Sequence, residues 1–152
     1  MDRRLWGYAL RFILLHVLTY TAAGIIFYQL QDYAEAFQTM EAFELFRPLD
    51  DPLVAAAIPI QIVRGALLAL LLYPFYDAFT RRKYGWLLAF GVLYGFTAIG
   101  SAIFIPDLVE TIVVERTAAH LVVGVPEITV QMLLFSWLFV AWERRRIRKA
   151  AG

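Results

Sequence analysis

Four apolar blocks, separated by segments rich in charge, set the pattern of this chain: residues 12–30, 53–76, 86–105 and 118–142. A helix crosses the hydrocarbon of a bilayer with about 20 mainly apolar residues, so each block is long enough to span. The pattern predicts an all-α integral membrane protein, with four transmembrane helices forming one bundle over residues 1–152 as a single domain. The first block follows a basic start and contains Thr21-Ala22-Ala23 before Gly24, as a cleavable signal would. Its apolar run continues through Ile25, Ile26 and Phe27, so it is read as a retained helix.

Between the first two blocks the periodicity changes. Tyr33, Ala36, Phe37, Met40, Phe43 and Phe46 recur at helical spacing, with Asp32, Glu35, Gln38, Glu41 and Glu44 opposite. That is the signature of an amphipathic helix lying on a membrane surface, and an extension of the first span into water is the plainer alternative. Pro48 and Pro52 bracket a break before the second span. Asp107, with Glu110 three residues on, resembles a capping pair and predicts a second short surface helix after the third span.

Charge then orients the bundle. The net charge of +1 hides a segregation of sign. Arg3, Arg4 and Arg11, then Arg81, Arg82 and Lys83, then Arg144, Arg145, Arg146, Arg148 and Lys149 mark three basic segments, whereas the two intervening segments are mainly acidic. Positive charge collects on the cytoplasmic side, which predicts both termini inside and both amphipathic helices outside, in a bacterial or archaeal plasma membrane. The basic tail is read as a topological anchor, and no nucleic-acid partner is expected. Composition agrees with this class: 61% hydrophobic and 18% charged, against about 45–50% and 25% in globular proteins. The chain has no cysteine, which removes thiol redox chemistry, iron–sulfur clusters and cysteine-held zinc.

The candidate chemistry is a set of polar residues inside the apolar blocks. Ionisable groups at membrane depth are costly and mark pathways or paired networks. His120, Gly124, Glu127 and Gln131 share a face of the fourth span, and the second carries Pro59, Gln61 and Arg64. Counted from the starts of their blocks, Arg64 and Glu127 lie about 16 and 14 Å down, near mid-bilayer. The two are expected to pair, with Gln61, Gln131 and Tyr20 or His16 filling the remaining hydrogen-bond positions. Pro59 and Pro126 would free backbone carbonyls beside them. Gly91, Gly95, Ala98 and Ala102 form a small-residue stripe on the third span, suited to close helix packing. The chain also echoes itself weakly at an offset that aligns Pro59 with Pro126.

Several chemistries are not expected. His16 and His120 lie on the order of 20 Å apart along the membrane normal, too far to share an iron. One mid-membrane carboxylate without Glu-x-x-His does not make a dimetal site, and neither Ser101 nor Ser136 has an activating partner in the pattern. No metal, cofactor or catalytic residue is therefore assigned. Two functional classes remain. One is a non-catalytic subunit or homo-oligomer whose partners are the lipid bilayer and itself or another membrane protein. The other is a small proton-coupled transporter or ligand-binding membrane protein using the polar core.

Overall fold

The computed structural model describes residues 3–39, 52, 56–95 and 125–152. Among these, every regular element is helical. In chain order they are α1 (Arg3–Leu30), α2 (Tyr33–Thr39), α3 (Ala57–Leu72), a 3-10 turn (Tyr73–Phe75), α4 (Tyr76–Arg81), α5 (Gly85–Tyr94) and α6 (Val125–Ala151). Among the described residues, three stretches are long and apolar enough to cross a membrane: Arg4–Leu30, Ala57–Arg81 and Val125–Ala150. The fourth expected span is described only over α5. Its remainder, with Ala98, Ala102 and Ser101, lies outside the described residues, as do the second surface segment and His120.

Helix boundaries depart from the apolar blocks where local propensity outruns hydropathy. α1 begins before its apolar block, because Tyr8, Ala9 and Phe12 already face the core. α6 continues through the basic tail, since residues 127–151 contain neither glycine nor proline and arginine, lysine and alanine favour helix. Pro74 changes a single turn to 3-10 geometry without ending the span. Pro59 lies in the first turn of α3, and the carbonyl one turn earlier that it is expected to free lies outside the described residues. Pro126 is the second residue of α6. Asp32 adopts φ 43°, a left-handed conformation that aspartate tolerates, and separates α1 from α2. The acidic segment thus starts a helix of its own, described through Thr39; its continuation to Phe46 lies outside the described residues.

α1 and α6 form the central pair. α3 flanks α1 and α5 flanks α6. Contacts set the directions: Phe12 meets Phe135 and Phe139, while Gly24 lies beside Glu127, so α1 and α6 are antiparallel. Tyr8 meets Tyr73 and Tyr76 while His16 meets Gln61, so α1 and α3 are also antiparallel. α3 and α6 therefore run the same way, and the start of α1, the α4–α5 turn and the end of α6 share one basic end.

The buried face of α1 (Tyr8, Phe12, His16, Thr19, Ala23) steps at three and four residues, as does that of α6 (Gln131, Met132, Phe135, Ser136, Phe139, Val140, Glu143). Aromatic rings fill the space between, with Phe12 and Phe135 centroids 4.7 Å apart at 66° and Tyr8 and Phe139 5.5 Å apart at 75°. Leu10, Leu14 and Leu18 on α1 and Val63, Leu67 and Leu71 on α3 are exposed. Polar groups turned inward and leucines turned outward reverse the soluble pattern, as lipid requires.

Close helix approach occurs on α3. Its buried face is Gln61, Gly65, Ala69 and Leu72, and a Cβ at Gly65 would lie 3.2 Å from His16 Cδ2 and 3.5 Å from Ile13 Cα. A side chain at Gly91 or Gly95 would meet nothing within 4 Å among the described residues. Among the described residues, the close approach between α1 and α3 is thus made at Gly65. Gly65→Leu should wedge α1 from α3 and destabilise the protein by about 1–3 kcal/mol, read as a lower unfolding midpoint in detergent, with Gly65→Ala intermediate.

Candidate functional site

Among the described residues, two groups of polar side chains lie in the bundle. In the first, His16 Nε2 and Gln61 Oε1 are 3.1 Å apart, both side chains buried. Gln61 also shares a hydrogen bond with Tyr20, whose hydroxyl lies within electrostatic reach of both Arg64 and Glu127. Glu127 Oε2 accepts the hydroxyl hydrogen of Tyr33, at the start of α2. Burial, and then this bond, push the Tyr33 phenol above its ordinary pKa, so it remains a donor. Five expected residues, His16, Tyr20, Gln61, Arg64 and Glu127, thus lie along one track on the α1 surface. Gln131 is buried one turn further along α6, and its Nε2 has no hydrogen-bond partner among the described residues.

Register modifies the expected depths. Gly65 sits against Ile13 and His16, while Glu127 sits against Gly24. Arg64 and Glu127 therefore start from levels about 12 Å apart along α1. Glu127 lies towards the end at which α2 begins, above the mid-depth counted from its apolar block, and Tyr33 reaches it for that reason. Tyr33 was assigned only to the surface helix by the sequence pattern. The left-handed turn at Asp32 is what folds it back.

The second group, at the basic end, is absent from the sequence expectations. Glu143, 1% exposed, accepts from Arg11 Nε through Oε1 and from Arg11 Nη2 through Oε2 at 3.0 Å, and Tyr76 Oη donates to the same Oε2 at 2.7 Å. This is a two-pronged guanidinium–carboxylate pair joining α1 to α6, with a phenol from α4 filling a third position. It has the geometry expected of Arg64 and Glu127. One turn of signal pointed to it: Glu143 is the lone acid in a run of arginines, at the depth of Arg11 and Tyr76. Next to it Arg144 donates to the carbonyls of Thr80 at 2.9 Å, of Lys83 at 3.4 Å and of Arg82, closing the C-terminal end of α4.

Chemically, the first group can orient a polar ligand or hand on a proton through hydroxyl, imidazole and carboxylate; the second can hold helices together and present cations. Among the described residues no three histidine, aspartate or glutamate side chains cluster as metal ligands would. No protein-family model, curated protein or solved structure matches the chain.

Proposed function

We propose that this chain is a small multi-pass membrane protein of four spans, both termini cytoplasmic, that acts as a non-catalytic component of a membrane assembly built from itself or with another membrane protein. The observation that carries the reading is the division of labour among the helices. Polar side chains of α1, α3, α4 and α6 are turned inward and engage one another. Among the described residues nothing lies within 4 Å of a side chain placed at Gly91 on α5 or at Gly95, which caps it, beside exposed Leu87 and Leu88. Such a small-residue face admits a second helix closely, and lipid tails alone give helices no reason to associate.

The test is oligomeric state in nanodiscs by native mass spectrometry. The reading expects an oligomer that Gly91→Ile dissociates; a protein that stays monomeric and unchanged by Gly91→Ile rejects the homo-oligomer.

A second reading, a proton-coupled transporter or ligand-binding protein, is favoured by the continuity of His16, Gln61, Tyr20, Glu127 and Tyr33 along α1. Arg64 is the cation of that track, within electrostatic reach of the Tyr20 hydroxyl, as Glu127 is. In proteoliposomes with an entrapped pH dye, proton flux abolished by Glu127→Gln would replace the first reading with this one.

A further inference from the structure

We propose that α2 is a hinged lid on the end of the bundle opposite the basic one, shut by the bond from Tyr33 to Glu127 and opened when Glu127 passes to Gln131. The device works alike whether the polar track along α1 carries protons or only holds helices in register.

Asp32 is the hinge. The backbone bonds of α1 end with the Gln31 N–H on the Phe27 carbonyl, and those of α2 begin with the Glu35 and Ala36 N–H groups on the Asp32 carbonyl. Asp32, at φ 43°, stands between the two sets, so a change at this one residue swings α2 without unwinding either helix. α2 is also lightly seated, with Ala34, Glu35, Gln38 and Thr39 exposed. Tyr33 reaches inward: its ring meets that of Tyr28 on α1, centroids 6.0 Å apart, and its hydroxyl donates to Glu127 Oε2.

Gln131 supplies the other state. It stands one turn from Glu127 and one turn from Phe135 on a single face of α6. Glu127 lies beside Gly24 while Phe135 meets Phe12 and His16, so Gln131 is enclosed against α1, at 3% exposure. Its Nε2 has no hydrogen-bond partner among the described residues. Buried amide donors are almost always bonded, and an unmet one penalises the state that contains it. A remedy lies one turn away. Helical side chains lean towards the N-terminus of their helix, so Gln131 leans over the turn that carries Glu127. Side chains four residues apart on a helix are hydrogen-bonding neighbours.

While Tyr33 holds it, the Glu127 carboxylate is drawn to the α2 side, with Oε1 towards Gly24. Once the phenol leaves, the carboxylate turns to Gln131, which satisfies both groups. Glu127 is thus bonded in either state, and opening exchanges one donor for another. Two states so nearly matched are what a movable lid needs.

The chain has no cysteine, so spin labels attach only where cysteines are placed. Gln38→Cys on α2 and Val130→Cys on α6, both at exposed positions, carry the pair. Double electron–electron resonance on the full chain in phosphatidylcholine nanodiscs reads the distance between them. The shut lid gives the population that dominates the wild type, and the open lid gives a second. Tyr33→Phe should raise the open-to-shut ratio about tenfold, the effect of losing one hydrogen bond to a charged group. Adding Gln131→Met, similar in length but without a donor, should reverse that rise by about tenfold, because the open state loses its bond. An unchanged ratio in Tyr33→Phe overturns the latch. A ratio in Tyr33→Phe/Gln131→Met equal to or above that of Tyr33→Phe overturns the exchange of donors. Unfolding midpoints in detergent check the fold. A midpoint lowered by Gln131→Met alone would show that Gln131 already braces the shut bundle, and overturns the proposal as well.

Discussion

Glu143→Leu alone should destabilise the protein by about 3–5 kcal/mol, and the double variant Arg11→Leu/Glu143→Leu should recover much of that loss. The reason lies in what each change leaves behind. Glu143 is almost wholly buried and Arg11 only 15% exposed, so removing the carboxylate strands a guanidinium that water reaches poorly. Removing both leaves two apolar side chains between α1 and α6, beside the rings of Phe12 and Phe139, where they have apolar neighbours. Glu143→Gln, which keeps an acceptor for the Tyr76 hydroxyl, should fall between. The measurement is a double-mutant cycle on unfolding free energy in mixed micelles. Additive losses from Arg11→Leu and Glu143→Leu would show that the pair is not energetically coupled.

Gly85→Ala should cost about 3 kcal/mol, at the upper end of overpacking penalties, although it adds only a methyl group. A Cβ at Gly85 would lie 1.8 Å from the Phe79 carbonyl oxygen and 2.6 Å from its carbon. Both are backbone atoms, so no rotamer change relieves the overlap. The α4–α5 turn must open, and with it the Gly85 N–H bond to the Arg82 carbonyl and the carbonyls that Arg144 caps. Faster tryptic cleavage at Arg81, Arg82 or Lys83 would report that opening, alongside a lower unfolding midpoint. Cleavage and midpoint both as in wild type would refute the close approach.

How far the sequence foretold this arrangement depends on which kind of signal carried each part. Apolar runs reported the helices, whereas the inward face of α1, with Tyr8, Phe12, His16, Thr19 and Ala23, emerged only from the packing. The runs also brought His16, Gln61 and Tyr20 together, since polar groups inside them have few places to go. Depth was less legible. Counting from block ends ignores the sliding that packing imposes, and the seating of Gly65 on Ile13 and His16 moved Arg64 relative to Glu127. Arg11, Glu143 and Arg144 were hidden for a different reason. Basic residues at helix ends read as topological anchors, and that assignment accounts for them so completely that their hydrogen bonds leave no separate trace. Gly65 was not legible because it follows an arginine and stands alone, whereas Gly91 and Gly95 repeat at helical spacing with Ala98 and Ala102, which lie outside the described residues.

The Arg11–Glu143 bridge also sets an order of events during synthesis. Its two halves are 132 residues apart, and a ribosome adds about 5–20 residues per second. For on the order of ten seconds the leading segment must remain in the translocation machinery or at the lipid boundary with its guanidinium awaiting an acid not yet translated. Snorkelling of the arginine to the head-group layer makes that wait tolerable. α6, carrying Glu143 and Arg144, then neutralises Arg11 and clasps the α4–α5 turn in one arrival, so these earlier helices are locked together by one made long after them.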